Sequence, residues 1–461
     1  MTLAREIATR VLQMRYEDMP AETVAAAKVG ILDLVGVTLA GCAEPTARIV
    51  AGVLTGDGGD SAIFGTPRRA TMLDAALING TASHALDFDD MSNTLGGHPT
   101  APILPALFAL AGAQPVDGKR FIAAYVAGFE AECKLGRGVN FHHYTKGWHP
   151  TATLGVFGAA SAACHLLGLD VARTATALAI AASFASGLKA NFGTMTKPLH
   201  VGHCARNGLL AALLARDGFT ANAGAFEHKQ GFLEVFNGAG TYDVAAILAD
   251  WGNPYEIVDP GIALKQYPCC GSTHPALDVM LDLVRRHDLA PEQVTRIESW
   301  THPRRLEHTN RPDPQSALDA KFSVQYCLAR ALVDRSIKIE DFEGDAWRDP
   351  KVYALLSRVQ AAAYTTAQFP ADNHFGAEVK ITTADGRTVA GKIDEALGRG
   401  SATPLPAERL REKFLNCAAR ALPAAACAAL ADRIERFEQL ADLRALDALL
   451  TPPATPQRAS A

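Results

Sequence analysis

Apolar residues recur along most of the chain with the repeat of an α-helix. Between residues 23 and 40 they include positions 24, 27, 31, 34, 35 and 39, which is close to a repeat of about 3.6 residues. Similar runs rich in Ala and Leu follow, separated by Gly, Pro or Asp. The helices predicted before residue 265 are 4–16, 21–41, 44–54, 71–87, 101–113, 119–138, 151–167, 170–189 and 204–217. Small side chains let helix axes approach closely, so the pattern predicts a compact all-helical domain.

The pattern changes after residue 265. Residues 294–302 alternate apolar and polar side chains as a strand does, and residues 377–394 form two such runs joined by Asp385-Gly386, a strong hairpin signal. Further helices are predicted around 275–287, 316–334, 339–342, 350–359, 406–419, 423–438 and 440–450. The sequence therefore predicts a mainly α protein with a large all-helical domain built from both chain ends (1–265 and 400–450), a smaller α+β domain (266–399) and a disordered tail (451–461).

Composition and charge add no specialised partner to this picture. Hydrophobic residues make up 48% of the chain, and the net charge of −5 gives no reason to expect nucleic acid or a membrane surface. The longest apolar runs, near 154–164 and 176–187, are shorter than the ~18 residues that suggest a membrane span. The sequence opens without a signal segment, and its nine scattered cysteines lack CxxC spacing. We therefore expect a soluble, cytoplasmic protein with reduced thiols.

Four polar segments interrupt the apolar pattern. They read HALDFDDMSNTLGGHP (84–99), GWHPTAT (147–153), GTMTKPLHVGH (193–203) and KQYPCCGSTHP (265–275). Acids, imidazoles and lysines within apolar flanks mark either exposed loops or an active site. Four such segments predict one site assembled from distant parts of the chain.

The first segment carries His84, Asp87 and Asp90 at intervals of three residues, which places them on one helix face if the helix continues that far. A carboxylate beside a histidine can be a base, a group that orients a base, or half of a metal site. The ordinary alternative is a helix end with solvated acids. We assign Asp89 and Asp90 to structural or solvated roles, and we expect no metal because too few ligands converge.

Three histidines, His98, His149 and His274, each precede a proline at the predicted start of a helix. An imidazole there lies beside free backbone N–H groups, which can seat a substrate carboxylate. The alternative is a capping or turn histidine. Lys197 also precedes a proline, and it is either an exposed loop charge or the cation that holds an anionic substrate.

The remaining candidates are weaker on the residues alone. Lys265 lies at the boundary between the two patterns, where the edge of a cleft is expected. Tyr326 is on a predicted helix, where a core aromatic is the more frequent case. No GxGxxG follows a predicted strand, and the P-loop, HExxH and GxSxG motifs are absent, so we expect no cofactor.

Together, HALDFDD…GGHP, GWHPT, GTMTKPLH, and K-x-YP…STHP followed by KFSVQY resemble the MmgE/PrpD family, over roughly residues 1–450. The resemblance implies an all-helical domain, an α+β lid domain, a homodimer and a metal-free, cofactor-independent site. Carried over position by position, it implies catalytic residues Asp87, His98, His149, Lys197, His274 and Tyr326, with Lys197, Lys265 and His274 binding substrate.

The family includes 2-methylcitrate dehydratases, cis-aconitate decarboxylase and iminodisuccinate epimerase, which move a proton at a carbon next to a carboxylate. We expect a hydro-lyase of the 2-methylcitrate dehydratase type acting on a di- or tricarboxylate. An epimerase or decarboxylase is the alternative within the family, and a protein that binds anionic metabolites without turnover is the alternative outside it. The loop between Asp90 and His98 reads MSNTLGG, with Met91 in place of a polar residue. It lacks the Thr-Trp-His-Pro of the decarboxylase, which argues against decarboxylation.

Overall fold

The structure is mainly α, as the sequence predicts. The computed structural model describes residues 2–54 and 58–452, and the chain divides into two compact units. The helical unit comprises Met1–Leu264 with Pro406–Ala461, and the mixed unit comprises Lys265–Leu405. Residues 453–461, most of the tail predicted to be disordered, lie outside the described residues.

The helical unit consists of helices joined by short turns. Its helices are Leu3–Gln13, Ala21–Gly41, Pro45–Val53, Met72–His84, Thr100–Ala113, Gly118–Val139, His142–Lys146, Pro150–Thr153, Gly155–Leu167, Val171–Phe184, Thr196–Arg216, Phe232–Phe236, Val244–Leu248, Ala407–Ala418, Ala424–Glu435 and Asp447–Leu450. Single turns of 3-10 or π-helix lie at Tyr16–Asp18, Lys189–Asn191, Ile257–Gly261, Phe437–Gln439 and Leu443–Leu446. A short strand, Ser61–Ala62, pairs antiparallel with Arg69–Ala70.

Two of these helices, Met72–His84 and Thr196–Arg216, approach each other at glycines. A methyl group added to Gly202 would lie 2.2 Å from the carbonyl oxygen of Leu77, and one added to Gly80 would lie 2.8 Å from the Cα atom of Gly202. Protein interiors do not accommodate such short contacts, so only glycine permits this spacing.

The last part of the chain packs into the same unit as the first. The ammonium group of Lys413 lies 2.6 Å from Oδ1 of Asp33 and donates to the carbonyl of Phe88 at 2.8 Å. Both charged side chains are buried. Because a buried charge without a partner is costly, this contact holds Ala407–Ala418 against Ala21–Gly41 and against the segment that contains Phe88.

Two stretches of the helical unit, Ala21–Gly41 and Pro150–Leu167, are long and apolar enough to cross a membrane by length and composition. The fold buries 72% of the apolar window of the first and 89% of that of the second. Such burial is typical of helices in the core of a folded domain.

The mixed unit contains a four-stranded sheet in the order Val359–Ala363, Val294–Thr301, Ala377–Thr383 and Thr388–Ile393. The first pair is parallel and the other two pairs are antiparallel. The predicted hairpin is confirmed, with Gly386 of its turn at a φ of 82°. The helices of this unit are His274–His287, Pro303–Thr309, Ala317–Lys321, Val324–Asp334 and Pro350–Leu356, with 3-10 turns at Pro291–Gln293, Ile339–Phe342 and Ala346–Arg348.

Two predicted boundaries near the polar segments are wrong. The helix predicted over 71–87 ends at His84, because Asp87 adopts a left-handed backbone conformation with a φ of 52°. The expected shared helix face of His84, Asp87 and Asp90 therefore does not form. The helix predicted over 204–217 begins earlier, so Lys197 lies in the first turn of a helix instead of a loop.

The start of one strand was also predicted wrongly, as the end of a helix. The helix predicted over 350–359 ends at Leu356, and Val359 instead begins an edge strand. The last three residues of that strand are Ala361, Ala362 and Ala363, which carry little intrinsic preference for a strand. Its pairing with Val294–Thr301 outweighs that weak local preference.

Replacing Gly202 by Ala is expected to lower the free energy of unfolding by about 1–3 kcal/mol, the usual cost of overpacking a core. Urea unfolding followed by circular dichroism measures the change. Gly52→Ala is the matched control, because a methyl group added to this helical glycine meets no atom within 4 Å and should be neutral or stabilise by up to about 1 kcal/mol. Equal stability of Gly202→Ala and the wild type would contradict the close helix contact.

Candidate active site

Four of the predicted site residues, Asp87, His98, His149 and Lys197, lie close together in the helical unit. Nζ of Lys197 lies 2.7 Å from Oδ1 of Asp87, and Nε2 of His98 lies 3.6 Å from the same oxygen. The ring of His84 links the cluster: its centroid is 4.4 Å from that of His98 and 6.0 Å from that of His149. Three of the polar segments therefore meet at one place.

Asp89 is at the centre of this cluster and is fully buried, so it is not a solvated acid. Both of its carboxylate oxygens lie 2.9 Å from Nδ1 of His84, and Oδ2 lies 3.1 Å from Nδ1 of His98. An ionised, buried carboxylate accepts hydrogen bonds and donates none. Asp89 therefore favours hydrogen on Nδ1 of His84 through a hydrogen bond, and on Nδ1 of His98 through its negative charge, which leaves Nε2 of each ring to exchange a proton with a ligand.

The turn after His84 positions these groups. Asp87 takes its left-handed conformation directly after the helix ends, which turns the chain away from the helix axis. The chain returns through a tight loop, in which the N–H of Ser92 donates to the carbonyl of Gly97 at 2.8 Å. This loop brings His98 back to the end of the helix from which the segment started.

The helix starts predicted behind His98 and His149 are present. His149 is the N-cap residue of Pro150–Thr153, and His98 comes two residues before Thr100–Ala113 begins. The N–H of His98 donates to Oγ1 of Thr151 at 3.1 Å, which ties the two helix starts together. Both imidazoles are therefore held by backbone geometry as well as by side-chain contacts.

A second layer of side chains surrounds His149. The ring of Phe192 meets it edge-on with centroids 4.9 Å apart, and Nδ1 of His200 lies 3.3 Å from Nδ1 of His149. The same phenyl ring lies under the ammonium of Lys197, 5.2 Å from its centroid. Phe192 therefore positions both a cation and an imidazole of the cluster.

Burial sets the charge states in the cluster. It lowers the pKa of His84 to about 4 despite the neighbouring Asp89, and burial followed by the charge of Lys197 holds the pKa of His149 well below its ordinary value. Although burial opposes ionisation of Asp89, its two imidazole neighbours keep its pKa well below the usual range. Burial raises the pKa of Asp90 well above that range, so Asp90 is a neutral, buried acid.

His274 and Lys265 lie in the mixed unit, and both are buried. His274 begins the helix His274–His287, as the sequence predicts, and its Nε2 lies 3.3 Å from the carbonyl oxygen of Cys269. The ring of Tyr267 meets it edge-on. These contacts describe a histidine held in place within its own unit.

Tyr326 lies in the hydrophobic core of the mixed unit and is fully buried. Its hydroxyl donates to the carbonyl of Asp341, and it accepts from a guanidinium nitrogen of Arg330 at 3.0 Å. Both hydrogen-bond partners of the hydroxyl belong to the mixed unit, as expected for a core tyrosine with a satisfied hydroxyl.

The donor atoms of His84, Asp87, Asp89 and His98 lie within 4.8 Å of one another, and this set could hold a metal ion. The two carboxylates of this set already have other partners. The ammonium of Lys197 already lies 2.7 Å from Asp87, and Asp89 lies at hydrogen-bond distance from Nδ1 of His84. A cation at this position would compete with Lys197 for the carboxylate.

Neither the central role of Asp89 nor the contribution of Phe192 was predicted from the sequence. Asp89 lies between Phe88 and Asp90, and all three residues are buried. The sequence around Asp89 therefore shows no alternation of apolar and polar positions that would mark it as buried. A usable signal was its distance of five residues from His84 across a predicted helix end. Phe192 directly precedes the polar segment 193–203 and carried no signal of its own.

The mainly α fold and its buried His, Asp and Lys cluster define a class of helical proteins equipped for acid–base chemistry on an anionic ligand. Models of the MmgE/PrpD N-terminal and C-terminal domains match residues 5–245 and 267–439 of the sequence. The chain belongs to the MmgE/PrpD family, as its motifs suggest. The C-terminal family domain includes residues from both compact units, because the chain returns to the helical unit at Pro406.

Several proteins of similar sequence are named cis-aconitate decarboxylases. The chain is 30% identical to a cis-aconitate decarboxylase of Homo sapiens, over 100% of this chain and 96% of that protein. It is 31% identical to that of Mus musculus, over 87% and 83%, and 28% identical to that of Aspergillus terreus, over 97% and 96%. These relatives favour the decarboxylase alternative over the expected 2-methylcitrate dehydratase, although the loop after Asp90 argues against decarboxylation.

The buried His84 should make stability depend on pH. Its pKa of about 4 in the folded state lies below the unfolded value of 6.5, so between these values only the unfolded state binds the proton. The free energy of unfolding should therefore fall by about 2 kcal/mol from this group as the pH drops from 7 to 5. Urea titrations at both pH values, on the wild type and His84→Gln, measure this.

In His84→Gln the decrease should be smaller by that amount. His142→Gln is the control, because His142 is exposed, and it should behave as the wild type does. A decrease in His84→Gln equal to that of the wild type would contradict a neutral, buried His84.

Proposed function

We propose that the protein is a cofactor-independent carboxy-lyase that decarboxylates cis-aconitate or a closely related tricarboxylate. The observation that carries the proposal is the Asp89–His98 contact beside the ammonium of Lys197. The site thus contains an oriented imidazole, that of His98, next to a cation, that of Lys197. Acid–base chemistry on an anion requires both. The similarity to cis-aconitate decarboxylases over nearly the whole chain supports the choice of substrate.

Decarboxylation poses a defined chemical problem. The bond between a carboxylate and its neighbouring carbon breaks, CO2 leaves, and the electron pair of that bond stays on the organic fragment. The conjugated double bond of cis-aconitate can delocalise this pair next to a remaining carboxylate. One proton must then bond to carbon for each CO2 released, so the site needs a proton donor and a cation for the developing charge.

His98 is the proposed proton donor. The carboxylate of Asp89, 3.1 Å from Nδ1, favours hydrogen on that nitrogen, so the proton that reaches substrate carbon travels on Nε2. Nε2 of His98 lies 3.6 Å from Asp87, on the side of the ring away from Asp89. Asp89 acts through His98 and is therefore a positioning residue.

Lys197 is the proposed cation. Its side chain is only 13% exposed and its ammonium lies 2.7 Å from Oδ1 of Asp87, so its charge acts in a partly dry environment, where electrostatic interactions are strong. Asp87 holds the ammonium in place, and a substrate carboxylate can share it. His149, neutral because it is buried, provides a hydrogen bond to the same substrate from the start of Pro150–Thr153.

Residues of the mixed unit complete the proposal as the family resemblance implies it. In this proposal Lys265 and His274 bind substrate carboxylates, this unit serves as a lid, and Tyr326 is a catalytic residue. The working form is a homodimer without metal, and we place it in the cytoplasm. Apart from the location, which rests on composition, each of these points is an inference from the resemblance.

A hydro-lyase of the 2-methylcitrate dehydratase type is the second candidate. The observation in its favour is the loop MSNTLGG, in which Met91 pairs with Ala263 through two backbone hydrogen bonds of 2.7 and 2.8 Å. A polar side chain of the decarboxylase motif is therefore replaced by an apolar one at a fixed position. The same oriented imidazole would then remove a proton from carbon instead of supplying one.

An NMR screen of cis-aconitate, citrate, 2-methylcitrate and iminodisuccinate tests these functions. We expect the purified protein to convert cis-aconitate into an unsaturated five-carbon dicarboxylate, with one CO2 released per product. Conversion of 2-methylcitrate with loss of water instead would favour the hydro-lyase. Saturation-transfer signals without turnover of any compound would indicate a binding protein and contradict the proposal.

Substitution of the cluster should abolish turnover without unfolding the protein. Lys197→Ala, His98→Ala and His149→Ala should each reduce kcat by ~100-fold or more, because each removes a proton carrier or a charge partner of the reaction. Asp89→Asn should cause a similar loss, since an amide can donate to Nδ1 and favour the wrong tautomer of His98.

The pH dependence of kcat separates the positioning role of Asp89 from a purely structural one. We expect Asp89→Asn to shift the pH profile, because a neutral amide then replaces the buried carboxylate that lies beside both imidazoles. Asp217→Asn, at the exposed far end of the helix that carries Lys197, is the control and should keep the wild-type rate and profile. Wild-type rates in Lys197→Ala, His98→Ala and His149→Ala would refute the assignment.

A further inference from the structure

Two arginines of the mixed unit share one aromatic ring. The guanidinium carbon of Arg305 lies 4.5 Å from the ring centroid of Phe375, and that of Arg399 lies 4.3 Å from the same centroid. Burial, together with the charge of Arg305, lowers the pKa of Arg399 to about 9, with Glu395 opposing this in part. Burial also lowers the pKa of Arg305. Two like charges are thus held near each other where water screens them poorly.

The neighbours that hold Arg305 are electrically neutral. Its Nε donates to the carbonyl of His374, and its Nη1 donates to Oγ of Ser272 at 3.1 Å. Within residues 2–54 and 58–452, Arg305 forms no ion pair with a carboxylate, and its Nη2 group has no hydrogen-bond partner. One edge of this guanidinium therefore remains available to a ligand.

Other cationic groups surround the same loop. Nε2 of His308 lies 3.0 Å from Oγ of Ser272. Burial alone would raise the pKa of the Cys270 thiol, but the hydrogen bond from His308 and the charge of the buried Lys265 lower it below its ordinary value. The lowered pKa of this thiol thus indicates a positive electrostatic potential at the loop that carries Ser272.

We propose that Arg305 and Arg399 form an anion-binding site of the mixed unit, with Ser272 and His308 as further hydrogen-bond donors. The ligand is a carboxylate group of a di- or tricarboxylate. The planar fork of a guanidinium matches the two oxygens of a carboxylate, and stacking on Phe375 holds both forks in fixed orientations. A bound anion would also relieve the repulsion between the two arginines, which the packing of Phe375 alone does not.

Binding of tricarballylate, a saturated tricarboxylate without a double bond or hydroxyl group, tests the site independently of catalysis. Isothermal titration of the full-length protein should give a dissociation constant that rises by about tenfold or more in Arg305→Gln and in Arg399→Gln. Arg304→Gln, the exposed neighbour on the same helix, is the control and should leave the constant unchanged. An unchanged constant in both test variants would overturn the proposal.

Two further measurements cover a variant that fails to fold and a different anion. Arg305→Lys keeps the positive charge but loses the planar guanidinium group, so it should fold as the wild type does and still bind tricarballylate several-fold more weakly. Wild-type affinity of this variant would count against the site. Inorganic phosphate is titrated in parallel, and phosphate binding without tricarballylate binding would overturn the assignment to carboxylates. Because no turnover is measured, failure of the decarboxylase proposal does not affect these results.

Discussion

The site depends on one buried carboxylate. Asp89 is fully enclosed, and an ionised acid in such a place is stable only if its oxygens meet hydrogen-bond donors. Nδ1 of His84 supplies such a donor, Nδ1 of His98 lies 3.1 Å from Oδ2, and in return Asp89 favours hydrogen on the Nδ1 atom of both rings. The same contact determines which nitrogen faces the ligand and how closely the two imidazoles approach. Removal of the carboxylate would leave both rings with neither a fixed proton nor a fixed orientation.

The fold supplies this arrangement by bringing helix ends together. Glycines at 80 and 202 let two helices pack closely enough for the first turn of one, with Lys197, to reach Asp87 beyond the end of the other. The left-handed backbone of Asp87 then turns the chain so that Asp89 points inward. Catalytic side chains at helix ends have free backbone N–H groups beside them and a rigid scaffold behind them, which suits a site for an anionic ligand.

Much of this could be predicted from the sequence, and the exceptions have physical causes. Helical periodicity and the Asp385-Gly386 turn are local signals, and both led to correct elements. The grouping of Asp87, His98, His149 and Lys197 followed from polar residues in apolar surroundings. The burial of Asp89 depends on tertiary packing, and its local signal, the spacing of five residues from His84, does not reveal that burial. The same holds for Val359, whose strand depends on a neighbouring strand more than sixty residues away.

The buried contact of Lys413 with Asp33 and with the carbonyl of Phe88 has a consequence for biosynthesis. Phe88 precedes Asp89 directly, so the wall of the site is completed by a residue that leaves the ribosome more than three hundred residues later. Until then Asp33 would be a buried acid without its lysine. The nascent helical unit therefore stays incomplete while the mixed unit is being synthesised, and a protein that ends before residue 413 would carry every residue of the cluster without the support that closes it.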